Sequence, residues 1–156
     1  MRTLVVVALT FLSDIAGTCA MADKSSDRLA AAQSALIAWF ECVECSNGEL
    51  EAVLKFGKLV ESALISTLQT GPSPAKRAEI EQTLREQHRS SPSQTISADR
   101  YVKLFSEDID AGYRVRAAMA LGRLRTQGAL DALRTEANNG VQREDVREAA
   151  RQALVP

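Results

Sequence analysis

The sequence is poor in aromatic residues and histidine and has no excess of charge. Aromatic side chains make up 4% of the 156 residues, histidine occurs once, and 19 basic residues nearly balance 20 acidic ones. A near-neutral chain does not present the basic surface that nucleic-acid-binding proteins normally need. Only His88 could join the cysteines as a metal ligand, which is too few for a tetrahedral zinc site. We therefore expect neither a nucleic-acid partner nor a metal or other cofactor.

Signals for β-strands are missing as well. Beyond the N-terminus, no segment bounded by turns alternates apolar and polar residues, and no glycine-rich hairpin motif occurs. Apolar residues instead recur at steps of three and four, as between Leu29 and Phe40. The pattern predicts an all-α protein.

Long apolar runs are limited to the N-terminus. Arg2 precedes an apolar run over residues 4–12, and Ala20-Met21-Ala22 offers a small-residue cleavage site. This arrangement predicts a secretory signal peptide over residues 1–22, cut after Ala20 or Ala22, because the run is too short to span a bilayer. A buried N-terminal strand is the less favoured interpretation. The mature chain, residues 23–156, would be one exported domain, periplasmic or secreted, with no membrane span.

Cys42 and Cys45 are the cysteines that remain after such cleavage. An even number of cysteines in an oxidising compartment favours a disulfide. We expect a structural disulfide that stiffens the end of the first helix, where residues three apart share a face. The alternative is a redox-active pair, although the strand–helix setting of such motifs is absent. Covalent haem would need histidine after the second cysteine, and Ser46 stands there.

The first half of the mature chain divides into several predicted helices. The first runs from Arg28 to about residues 45–48, where Ser46-Asn47-Gly48 signals a turn. Residues 49–70 hold two helices separated at Gly57. A further helix starts at Pro74, since proline suits the first helical turn. The serine-rich loop over residues 89–97 is a candidate boundary between two subdomains.

The second half is also predicted to be helical. Ser97 is a candidate N-cap, and a break or kink is expected at residues 110–112. Gln127-Gly128 predicts a turn. Asn138-Asn139-Gly140 predicts a left-handed helix end. A last helix is expected over residues 145–154.

An internal repeat lies within this second half. Residues 113–121 align without a gap on residues 146–154, at an offset of 33 residues. Arginine, two alanines and leucine are identical between the two segments. An offset of this size is typical of stacked helical hairpins, none of which can bury its apolar face alone.

The repeated segments resemble a known family. Residues 115–124, V-R-A-A-M-A-L-G-R-L, followed by A-L-D-A-L at residues 129–133, are similar to a HEAT repeat of the short type found in phycobilisome-lyase-like proteins. Residues 146–154 resemble the first helix of another copy, and residues 53–64 a divergent copy. The resemblance implies a short α-solenoid of three to four antiparallel hairpins. It also implies a set of structural repeat residues, namely Arg116, Leu121, Gly122, Arg147 and Leu154, with the two arginines bonding neighbouring turns.

Such a scaffold suggests a function without catalysis. We expect it to bind a protein or peptide partner in the cell envelope or outside the cell, and no residue is assigned a catalytic role. The exposed Arg123 and Arg125 are candidate partner-binding residues. Two alternatives remain: a thiol–disulfide redox protein that uses Cys42 and Cys45, and a lyase-like helper of a tetrapyrrole protein.

Overall fold

The computed structural model describes residues 15–91 and 96–156, with side chains described from Lys24 onward. These residues form helices and connecting loops and contain no strand, which confirms the all-α prediction. The helices are α1 (Ile15–Glu41), α2 (Asn47–Leu54), α3 (Lys58–Thr70), α4 (Pro74–Ser90), α5 (Ala98–Leu124), α6 (Gln127–Ala137) and α7 (Glu144–Leu154).

The two predicted processing and linker segments fall partly outside the described residues. Residues 1–14, which hold the apolar run of the predicted signal peptide, lie outside them, and residues 15–22 belong to α1. Residues 92–95 of the predicted loop also lie outside. On either side of that loop, α4 and α5 contact each other.

Polar caps set where several helices begin. The Ser97 hydroxyl accepts the N–H of Arg100 at the start of α5, as the sequence predicts. Ser73 accepts the N–H of Lys76, and Pro74 occupies the first turn of α4. Each cap satisfies an N–H that has no partner inside the helix.

The first helix ends earlier than predicted. α1 stops at Glu41, so Cys42 and Cys45 lie in the loop before α2 and not on a helix. Ser46 begins a helix and does not form a turn: its hydroxyl accepts the N–H of Gly48, and the Glu49 carboxylate accepts the N–H of Ser46. This reciprocal capping box is the physical reason that α2 starts at residue 47.

Two glycines separate the next helices. Gly57 has φ of +52° between α2 and α3, which confirms the predicted division. Gly71 has φ of +75° and ends α3. A glycine adopts this region of backbone space without the steric cost that other residues carry.

The break expected at residues 110–112 does not occur, because α5 runs unbroken from Ala98 to Leu124. A single interior glycine costs a helix only about 1 kcal/mol. The Asp110 carboxylate accepts bonds from Arg114 one turn later and from Arg77 of α4, each at 2.6 Å. Ala111 is buried, so burial and these charged bonds offset the cost of Gly112.

The turn chemistry around α6 also differs from the prediction. Gln127 and Gly128 form the first turn of α6, which Thr126 caps by accepting the N–H of Ala129. The left-handed residue is Arg125, with φ of +49°, and not one of the residues after α6. Asn138 ends α6 at the predicted place but in right-handed geometry.

The fold is organised around α5, which contacts each of the other six described helices. Its alanines at positions 117, 118 and 120 are buried, and Leu121 is fully buried. The core around them draws leucines and valines from α2, α3, α6 and α7. Its largest fully buried side chains are Val53, Val60, Leu64, Leu68, Leu121, Leu133 and Val146.

Small residues allow α5 and α7 to approach closely. A Cβ built on Gly122 would lie 2.8 Å from both the Cβ and the carbonyl oxygen of Ala153. Real Cβ atoms do not approach other heavy atoms this closely, so the glycine is needed at this crossing. Corresponding positions of the 33-residue offset are both buried: this holds for Tyr113 and Val146, and for Ala117 and Ala150.

Candidate functional site

A cleft of about 330 Å³ opens where the end of α1, the α3–α4 turn, the start of α4 and the middle of α5 meet. Binding sites for small groups usually combine an apolar wall with a few placed polar groups, in a volume of about 300 Å³ or more. This cleft has both components. Its lining residues are Ile37, Phe40, Glu41, Thr67, Pro72, Ser73, Lys76, Glu79 and Tyr113.

A stacked aromatic pair forms part of the apolar wall. The rings of Phe40 and Tyr113 are 5.2 Å apart between centroids, with planes inclined by 14°. Both residues are buried. Offset stacking at this separation is a favourable arrangement of two aromatic rings, and it joins the last turn of α1 to α5.

Charged side chains form the other wall of the cleft. The Lys76 ammonium lies 2.8 Å from a carboxylate oxygen of Glu41 and 2.8 Å from one of Glu79. These bonds raise the pKa of Lys76 above its ordinary value, Glu41 contributing most. Burial, followed by the charge of Glu41, raises the pKa of the Tyr113 phenol. By formal charge, one lysine and two glutamates give the cleft a net charge of −1.

Hydrogen bonds fix the end of α1 against α5. Arg116 donates to the carbonyl oxygens of Phe40 at 2.8 Å and Cys42 at 2.9 Å. In return, the Trp39 indole N–H donates to the carbonyl of Arg116 at 3.1 Å. Arginine is suited to this role because its planar group presents several donors in a fixed geometry. The cleft wall is therefore held from two sides.

The two cysteines lie at the end of this clamped segment and just after it. The sulfur atoms of Cys42 and Cys45 lie at disulfide-bonding distance, and their Cα atoms are 5.2 Å apart. Cys42 is half-buried and Cys45 is exposed. The pair fits an oxidising compartment, where disulfides persist. A bond between the two cysteines would restrain the loop between α1 and α2. Arg116 holds the same loop through the carbonyl oxygen of Cys42.

A second, shallower cleft of about 230 Å³ lies on another side of α5, lined by Arg77, Asp110, Arg143, Ser106 and Glu107. Within its lining, Arg77 of α4 pairs with Asp110 of α5 at 2.6 Å. Arg143 bonds Asp108 at 2.8 Å and also Asp145, and the bond from Arg143 lowers the pKa of Asp145. These ion pairs tie the start of α7 to α5.

The candidate partner-binding arginines lie at the far end of α5 from the first cleft. Arg123 pairs with Glu51 of α2 at 3.0 Å, and Arg125 donates to the carbonyl of Val155 at 3.3 Å. Both remain exposed. Arg123 is ten residues from Tyr113, or about 15 Å along the helix axis. The structure does not bring these arginines together with the cleft.

The repeat residues occupy the interior and the ends of α5 and α7. Leu121 and Gly122 are buried, and Leu154 is half-buried at the end of α7. Arg147 is paired with Glu144 of its own helix, and its Nε atom is buried with no partner among the described residues. At the 33-residue offset, Arg147 corresponds to Arg114, whose guanidinium donates to the carbonyl of Gln69 at 2.6 Å.

His88 has structural neighbours. Its Nε2 atom lies 2.8 Å from the carbonyl oxygen of Ile96, and its ring lies 5.3 Å from that of Tyr101. In the described part of the chain, no group of three or more histidine, cysteine, aspartate or glutamate residues is placed to hold a metal ion. None of the helices described there is both long enough and apolar enough to cross a lipid bilayer.

Sequence reasoning missed the first cleft. It placed Phe40 on an apolar helix face and Tyr113 in the repeat, but gave no role to Glu41, Lys76 or Glu79. These five residues lie on three helices, α1, α4 and α5. Only the packing of α1 and α4 on α5 brings them together. No local spacing in the sequence signals the cleft.

Comparisons of the chain with protein-family models, curated proteins and solved structures gave no match.

Proposed function

We propose that this protein is a non-catalytic binding module that takes a peptide segment of another protein into the cleft beside Phe40 and Tyr113. The observation that carries this proposal is the composition of the cleft: a stacked aromatic wall faces a charged wall on a helix junction fixed by Arg116. A preformed site of this kind loses little conformational entropy when a ligand binds.

We propose in addition that the helices form a short HEAT-like stack. Four helix contacts support this: α5 packs on α7, α6 packs on α7, and α3 packs on both α5 and α6. A unit of α1 packed on α2 and α3, a hairpin of α5 and α6, and α7 as half of a further unit would account for them. Stacked hairpins bury apolar faces that none can bury alone.

The proposed place of action is outside the cytoplasm, in the periplasm or the medium. The signal-like N-terminus supports export, and the cysteine pair at disulfide-bonding distance supports an oxidising compartment. Chemical sequencing of the N-terminus of the protein recovered from its native cell tests this. A first residue of Met21 or Asp23 supports export, and an intact N-terminus contradicts it.

Panning a random heptapeptide library on the purified protein tests the binding function. We expect enriched peptides whose binding is lost in Ile37→Ser, because Ile37 lines the cleft with 57% of its surface exposed. Leu104→Ser is the matched control: Leu104 is 45% exposed and does not line the cleft. No enrichment, or equal loss in both variants, contradicts the proposal.

The same peptides decide the role of the two arginines at the end of α5. In the double variant Arg123→Glu and Arg125→Glu, unchanged peptide binding removes these residues from the interface. Weakened binding places the interface at the far end of α5 and contradicts a site confined to the cleft.

A thiol–disulfide redox function is the second candidate, and the exposure of Cys45 beside Cys42 favours it. The pair would accept two electrons from a partner dithiol, which becomes the disulfide. Measurement of its reduction potential and of exchange with a model disulfide tests this. A potential well below that of thioredoxin, with no exchange, supports a purely structural bond.

A further inference from the structure

We propose that the group recognised by the cleft is a basic side chain, arginine above lysine, of an extended peptide or a partner's loop. Its hydrocarbon stem would lie along Phe40 and Tyr113, and its head group would reach Glu41 and Glu79. This inference rests on the proposed binding function and names its ligand class.

The charge of the cleft favours a cation. Both glutamates use one oxygen, Oε1, to contact Lys76. Among the described residues, the second oxygen of each glutamate accepts no hydrogen bond. The side chain of Glu41 is 42% exposed and that of Glu79 is 65% exposed, whereas that of Lys76 is 23% exposed. An incoming cation therefore meets two accessible carboxylates before it meets the internal ammonium.

Lys76 positions these carboxylates. One ammonium at 2.8 Å from both oxygens holds two side chains that otherwise repel each other and move freely. It neutralises one of the two negative charges and leaves the other for a ligand. Because the acids are already brought together, a ligand does not supply the free energy of assembling them.

The apolar wall fits the stem of a basic side chain. Arginine and lysine bury their methylene groups along apolar surface while their charged ends stay near water. Ile37 and Pro72 extend the wall formed by the aromatic pair. An aromatic face within about 6 Å also attracts a guanidinium or ammonium group.

Arginine fits better than lysine because its planar head group can donate to two carboxylates at once. The volume of about 330 Å³ accommodates one long side chain together with adjoining main chain. An anion fits poorly. Ser73 already accepts the N–H of Lys76 at the start of α4, and an anion would meet the net negative charge of the two glutamates.

The heptapeptides enriched by panning on the purified full-length protein test this inference. We expect them to share an arginine or lysine. Replacement of a shared arginine by citrulline, which keeps the shape and removes the charge, or acetylation of a shared lysine, should weaken binding at least fivefold. Glu79→Gln should weaken binding about fivefold, the upper range for an exposed ion pair. Glu41→Gln should weaken it to a similar extent, because Glu41 supplies the other carboxylate.

Glu86→Gln supplies the control for these variants. Glu86 lies on the same helix, is exposed and does not line the cleft, so its substitution should leave binding unchanged. Enriched peptides that lack a basic residue, or that bind Glu41→Gln and Glu79→Gln as tightly as the unaltered protein, overturn the inference while the binding function stands. A library that yields no enriched peptide overturns both.

Discussion

Replacement of Gly122 by alanine tests the close approach of α5 and α7. The new Cβ would lie 2.8 Å from the Ala153 carbonyl oxygen and 3.0 Å from its Cα, both of which are backbone atoms. Backbone atoms cannot rotate away as a side chain does, so the end of α7 must shift. Overpacking of this kind costs about 1–3 kcal/mol.

A matched change in the same helix separates this clash from helix propensity. Gly112→Ala places a Cβ whose nearest neighbour is a terminal nitrogen of Arg116 at 4.0 Å, an unstrained contact. Both substitutions gain about 0.5–1 kcal/mol because alanine loses less backbone entropy than glycine. We therefore expect Gly112→Ala to stabilise the protein by that amount and Gly122→Ala to destabilise it by up to about 2.5 kcal/mol.

The measurement is equilibrium urea unfolding followed by far-ultraviolet circular dichroism. The two variants should differ by roughly 1–3 kcal/mol, or about 2–12 °C in melting temperature for a chain of this size. Since the gain in propensity is common to both, the difference reports the clash with α7. Equal stabilisation by the two substitutions would refute the described crossing of α5 and α7.

Two further predictions concern the region of the cleft. The raised pKa of Tyr113 means that the folded state holds the phenol proton more tightly than the unfolded state does. Its contribution to stability is therefore present below about pH 10 and is lost as the pH rises through the folded-state pKa. Spectrophotometric titration should show a late phenolate step that Tyr113→Phe removes, whereas a step at or below about pH 10 that disappears in Tyr113→Phe would contradict the burial of the phenol. Reduction of the Cys42–Cys45 bond should lower the free energy of unfolding by about 2 kcal/mol or less, because the closed loop is so short. Urea unfolding with and without reductant checks this, with the double variant Cys42→Ser and Cys45→Ser as an insensitive control, and a loss far above that value would contradict a purely local constraint.

Local signals in the sequence located several helix boundaries correctly. Gly57, Pro74 and Ser97 each act through their own backbone or side chain: glycine by a positive φ, proline by its missing N–H and serine by capping. Such effects depend on the residue and its near neighbours, so the sequence alone can reveal them.

Tertiary contacts overrode the local signals elsewhere. Gly112 was expected to interrupt α5, but Asp110 is bonded by Arg77 and Arg114, and the adjacent Ala111 is buried. The free energy of these long-range contacts exceeds the roughly 1 kcal/mol preference against glycine. The start of α2 at residue 47 has a more local cause, namely the capping box between Ser46 and Glu49.

The sequence by itself determined that the described chain is helical and that small alanines recur at an offset of 33 residues. These properties follow from the spacing of apolar residues and from the size of single side chains. Only the tertiary structure decided that Phe40, Lys76 and Tyr113 line one cleft. They are separated along the chain by 36 and 37 residues, and their proximity follows from how α1 and α4 pack against α5, which no local pattern encodes.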